Sequence, residues 1–142
     1  MRNVILCAAM LLFICETYAL GANEPATADE TLPLNYAPSG KVMFQQYCAT
    51  CHGTDAKGNG PLAPLLKTPP ANLTGLSKRH AGQFPYEYVS TVLQFGPGPS
   101  GHGSSDMPAW GPIFRYYDKQ NERVVQQRIK NLSNYLASVQ DE

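Results

Sequence analysis

The chain has 142 residues, 43% of them hydrophobic, with 11 basic and 11 acidic side chains and a formal net charge of zero. That length suits one small domain. The charge balance excludes the basic surplus of a nucleic-acid binder and leaves no net field to steer a partner, although local patches are not excluded.

In chain order, "MRN" is a short basic start, and residues 4–15, "VILCAAMLLFIC", form an apolar run. Small residues follow at Thr17/Ala19 and Leu20/Ala22. Residues 1–22 are therefore expected to be a secretory signal peptide, because the run is short of the roughly 20 residues a membrane span needs. A retained membrane anchor is the alternative. Ile14 is too bulky for a lipoprotein site at Cys15. Cleavage after Ala22 leaves 120 residues with balanced charge. Residues 23–37, polar with Pro and Ala, read as a flexible leader. Residues 38–142 read as one folded domain.

A first helix is expected from Ser39, a good N-cap residue, to Gly53, which can stop it. Residues 53–75 are punctuated by Gly and Pro and read as loop, with one short turn at 62–66. A second helix is expected over 84–96, with Pro85 in its first turn and Gly96 at its end. Residues 96–108 read as an exposed loop. The clearest helix spans 121–139, where Val125, Ile129, Leu132, Leu136 and Val139 make an apolar stripe. No strand pairs are expected. Tyr116 and Tyr117 read as packing residues. Three or four helices over so much loop make a thin core, so a large apolar group is expected to fill the middle.

Cys7 and Cys15 leave with the signal peptide. Only Cys48 and Cys51 remain, inside "CATCH" (48–52). Cys-x-x-Cys-His is the attachment signature of c-type haem. On a helix, positions i, i+3 and i+4 share one face. Two thioethers from Cys48 and Cys51 then hold the macrocycle while His52 points at iron. A thioredoxin-like pair would sit beside a βαβ pattern, and zinc would want a second pair of ligands; neither is present. The expected cofactor is one covalent haem c.

These residues resemble a class I (monohaem) cytochrome c of bacterial periplasmic type. The resemblance runs from about Gly40 to Val139. It rests on Gly40 and Phe44 before "CATCHG", "GxGP" at 58–61, "MPAWG" at 107–111, and Leu132, Tyr135 and Leu136 in the last helix. "PPANLTGL" (69–76) adds a weaker likeness to periplasmic or membrane-linked cytochromes. The resemblance implies an all-α domain wrapped around the haem, with Gly40 at a close crossing of the first and last helices and Phe44 packed on Tyr135. It also implies that the Pro61 carbonyl accepts the second ring N–H of His52.

For the sixth iron ligand, Met43 lies on the same helix as Cys48 and cannot reach around the ring. His80 reads as a surface histidine. Met107 has the better claim over His102: Pro108 stiffens its backbone, Trp110 can pack against the haem, and "MPAWG" matches the family's ligand segment. With His52 and Met107 both on iron, substrates are shut out and the site moves electrons. An open or exchangeable sixth position would instead make a haem enzyme or sensor. The expected function is single-electron transfer between redox proteins, an upstream dehydrogenase or cytochrome complex and a downstream oxidase or reductase. The chain is then a carrier rather than an enzyme, or an obligate cytochrome subunit of a larger oxidoreductase. The expected location is the periplasm, with membrane association only if the signal segment is retained.

Overall fold

The computed structural model describes residues 36–98 and 106–141. The expected signal peptide, most of the leader, and His102 lie outside them. Among the described residues the fold is all-α, without a strand. No helix among them is long and apolar enough to cross a membrane.

Helix α1 (Gly40–Met43) starts where expected: the Ser39 hydroxyl accepts from the Val42 amide at 3.3 Å. It runs through a π-helical turn (Phe44–Cys48) into α2 (Ala49–His52), which ends at Gly53 with φ +79°. The π turn was not legible in the sequence. It spends one extra residue in the helix and so shifts the apolar period. Met43 and Phe44, before or at its start, are fully buried. Tyr47 and Cys48, at its end, line a cavity with Cys51 and His52.

The loop that follows contains one short 3-10 turn (Ala63–Leu65), as the sequence suggests. The one-turn helix α3 (Leu76–Arg79) was not expected; four residues are too few to show a period. Helix α4 (Tyr86–Phe95) fits the expected second helix, with Pro85 and Gly96 at its ends.

Helix α5 (Trp110–Tyr117) was also not expected. Gly111 and Pro112, poor helix formers in a helix interior, occupy its first turn, where backbone N–H groups have no helical partner and proline costs nothing. Its inward side carries Gly111 and Phe114. Tyr116 and Tyr117 therefore point away, 80% and 61% exposed, and touch each other rather than the core. The packing role expected for them is corrected.

Helix α6 (Glu122–Ser138) carries the expected stripe. Val125, Ile129, Leu132 and Leu136 are buried against α1, α4 and α5. Phe44 meets Tyr135 with ring centroids 5.2 Å apart. Ser133, buried on α6, lies 3.2 Å from the Ser90 hydroxyl on α4, so both polar groups are satisfied at that crossing. The Arg128 guanidinium grips Asp118 through two bonds of 2.8 and 2.7 Å and lies over the Phe114 ring, tying α6 to the end of α5.

Candidate haem site

The local fold first fixes α2. Its four residues end a helix, so their carbonyls need partners from outside it. Every one is met. Gly53, Leu62, Gly60 and Gly58 donate backbone N–H bonds to Ala49, Thr50, Cys51 and His52, at 2.8, 2.9, 3.1 and 2.7 Å. The "GxGP" loop is thus the C-terminal cap of the Cys/His helix. A Cβ on Gly60 would lie 2.5 Å from the Thr50 carbonyl oxygen, so only glycine allows the loop this close. Pro61, which has no N–H, sits between two donors and loses nothing.

That placement corrects the role expected of Pro61. It is exposed, and His52 Nδ1 lies instead 3.0 Å from the Ala71 carbonyl oxygen. The acceptor comes from "PPANL", the later loop, because the earlier one is used up in capping α2. A carbonyl only accepts, so Nδ1 carries the proton and Nε2 keeps the lone pair. Burial lowers the His52 pKa, and the Ala71 bond opposes that shift. A neutral imidazole with a free Nε2 is the form that binds iron.

The far wall comes from the residues before and within α5. Met107, half-buried, packs on the core and lines the same cavity as Cys48, Cys51 and His52. Trp110 lines it too, with Tyr47 at 5.3 Å and Phe114 stacked at 5.6 Å between ring centroids. Asp106, Met107 and Pro108, just before α5, and Trp110 at its start thus line the far side of the cavity. His80 is exposed; its Nδ1 lies 2.8 Å from the Leu76 carbonyl oxygen and its ring rests on Tyr88.

Between the walls is an apolar cavity of about 440 Å³. Leu73, Leu76, Val89, Leu93, Leu132 and Leu136 face it, and these are the residues a small domain would use for its core. Cys48 and Cys51 are free thiols on its edge. Burial, with Cys51 beside it, pushes the Cys48 thiol up to about 12. Reactive redox pairs show the opposite shift, toward thiolate, and sit beside a βαβ unit, whereas the described residues include no strand. Among the described residues, no three His, Cys, Asp or Glu side chains gather to hold a bare metal ion. Two thiols, an imidazole lone pair and a thioether around an apolar space fit haem instead.

A helical shell around such a cavity, with Cys-x-x-Cys-His on one wall, defines a cytochrome c-type domain, and its chemistry is haem-based electron transfer. More particularly, residues 35–126 match the family described as cytochrome C oxidase, cbb3-type, subunit III, and the chain belongs to that family. No curated protein and no solved structure compared with the chain gives a match. The family match ends within α6, while the fold continues through the part of that helix that carries Leu132, Tyr135 and Leu136.

Proposed function

We propose that the domain passes single electrons through one covalently bound haem c, whose iron His52 and Met107 would both hold. When bound, haem supplies a one-electron iron couple. The chain's residues do the rest. Cys48 and Cys51 anchor the macrocycle by thioethers. The Ala71 carbonyl fixes the His52 tautomer so that Nε2 is offered to iron. Met107 closes the other side and keeps substrates off. Trp110 and Tyr47 give that side an apolar, aromatic wall. The observation that carries this reading is that one apolar cavity joins "CATCH" to Met107 across most of the domain's sequence.

Partners are redox proteins that meet the exposed rim of the cavity, an upstream dehydrogenase or cytochrome complex and a downstream oxidase or reductase. The zero net charge favours contacts that are apolar with local charges and only modestly salt-dependent. The N-terminal segment read as a signal peptide supports a periplasmic site of action. The family's description as an oxidase subunit favours a second reading, in which the same site works inside a larger oxidoreductase. Co-purification of the native protein separates the two.

The test is spectroscopic. The oxidised protein is expected to show the weak red-region band of methionine on ferric iron, and Met107→Ala to abolish it. His102→Ala is expected to leave it intact. A spectrum indifferent to Met107→Ala overturns the ligand assignment and favours an exchangeable sixth position.

A further inference from the structure

The bond between His52 and Ala71 depends on a turn that is held from elsewhere. Ala71 leads directly into Asn72–Ser77. The Leu73 amide donates to Ala56 at 2.8 Å, and Arg79 donates to the Asn72 carbonyl at 2.7 Å. The remaining ties come from the two residues that follow Val139. Gln140 donates its side-chain amide to the Leu73 carbonyl at 2.9 Å and accepts from the Ser77 amide at 2.8 Å. The Asp141 backbone amide donates to the Thr74 carbonyl at 2.8 Å, while its carboxylate lies 2.6 Å from the Thr74 hydroxyl. Thr74 is one of two buried polar residues in the described structure, and its amide also donates to the Asn72 side chain at 2.9 Å. The same turn sends Leu73 and Leu76 into the cavity wall.

We infer that Gln140 and Asp141 are positioning residues for the proximal ligand, clamping the turn that carries the Ala71 carbonyl and so setting the haem's reduction potential. The inference rests on His52 being an iron ligand. A firm acceptor at Nδ1–H draws that proton away and makes Nε2 a stronger donor, which favours ferric iron. A loosened turn weakens the bond, leaves a poorer donor and raises the potential. Both residues lie outside the core, Asp141 exposed, so their substitution leaves the apolar interior intact.

The experiment uses the full haem-loaded chain. Gln140→Leu removes both of that side chain's bonds to the turn, and Asp141→Ala removes the carboxylate contact to Thr74; Asp141→Asn keeps an accepting oxygen there. Thr74→Val removes the hydroxyl bond from the turn's side with little change of volume. Two readouts are taken: hydrogen exchange of the His52 Nδ1–H by NMR in the reduced state, and the midpoint potential. Gln140→Leu, Asp141→Ala and Thr74→Val are expected to exchange this proton roughly tenfold faster, the scale of one lost hydrogen bond, and to have a higher potential. Asp141→Asn is expected to stay near the parent protein. Variants that are merely less stable, with unchanged exchange and an unchanged or lowered potential, overturn the inference. Failure of the haem reading shows elsewhere, in a parent protein whose His52 ring protons lack the large ring-current shift that a haem gives its ligands.

Discussion

Gly40 on α1 crosses the backbone of Asn131 on α6 so closely that a Cβ on Gly40 would overlap the Asn131 carbonyl oxygen and lie 2.7 Å from the Tyr135 Cβ. The Asn131 side chain donates to the Pro38 carbonyl at 2.8 Å, which fastens the chain just before α1 to the same helix. The crossing brings Phe44 onto Tyr135 and sets where the Cys/His helix begins its path to the cavity. Gly40 is needed for its missing side chain rather than for an unusual φ.

Gly40→Ala is expected to lower stability by about 3 kcal/mol, the upper end for overpacking, because the obstacle is backbone and not a side chain that can swing aside. Guanidinium unfolding of the haem-loaded protein measures it. A loss within about 0.5 kcal/mol, the range of ordinary surface changes, would show that the helices separate easily and that the crossing is not tight in solution.

Arg128 and Asp118 make a second prediction. Their side chains are 12% and 8% exposed. The guanidinium also reaches the Met43 sulfur at 3.7 Å. The pair therefore joins α1, the end of α5 and α6 beside Phe114, which stacks on Trp110 of the cavity wall. Removing one partner strands a buried charge, and the expected cost of Arg128→Leu is about 3–5 kcal/mol. Adding Asp118→Leu removes the stranded carboxylate and is expected to recover part of that loss. A double-mutant cycle in chemical denaturation reads both. Simple additivity of the two single losses would mean that the pair does not act as a unit.

How much of this was readable beforehand depends on whether a role belongs to a side chain or to a backbone atom. "CATCH" needs two thiols and an imidazole at set spacing, and no other residues supply them. The stripe on α6 is a side-chain period, and its buried members lie where it placed them. Met107 was singled out by Pro108, by Trp110 and by the likeness of "MPAWG" to the family's ligand segment, and it lines the cavity. The acceptor for His52 was missed because it is a carbonyl, which every residue has; the identity of Ala71 carries no signal. The clamp at Gln140 and Asp141 was hidden in the same way, since its targets are mostly backbone groups. Helix α5 was masked by Gly111 and Pro112, whose breaking tendency vanishes in a first turn. The π turn leaves no compositional trace, because it changes hydrogen bonding and not residue type.

The last prediction concerns removal of the haem. Leu73, Leu76, Leu93, Leu132 and Leu136 come from three separate stretches of chain, the Asn72–Ser77 turn, α4 and α6, and all of them line the cavity. Measured costs for enclosed cavities run near 24 cal/mol per Å³, so about 10 kcal/mol is the upper bound for an empty space of about 440 Å³ that is partly open at its rim. That is comparable with the entire net stability of a small domain, about 5–15 kcal/mol. Water entering at the open rim leaves the leucines wetted, so their burial is restored only by collapsing the cavity and is otherwise given up by unfolding. Collapse would draw α4 and α6 onto the Asn72–Ser77 turn, against the bonds that hold the turn in place. Unfolding is the expected result. Cys48→Ser/Cys51→Ser, freed of any bound haem, is expected to lose the sharp thermal transition and most of its far-UV helical signal, while the haem-loaded parent keeps both. Cys48→Ser alone retains one anchor and is expected to fold with a lower midpoint. A haem-free double variant that melts cooperatively near the parent's temperature would show that the helices pack without the cofactor, and that the cavity is a recess in an already sufficient core.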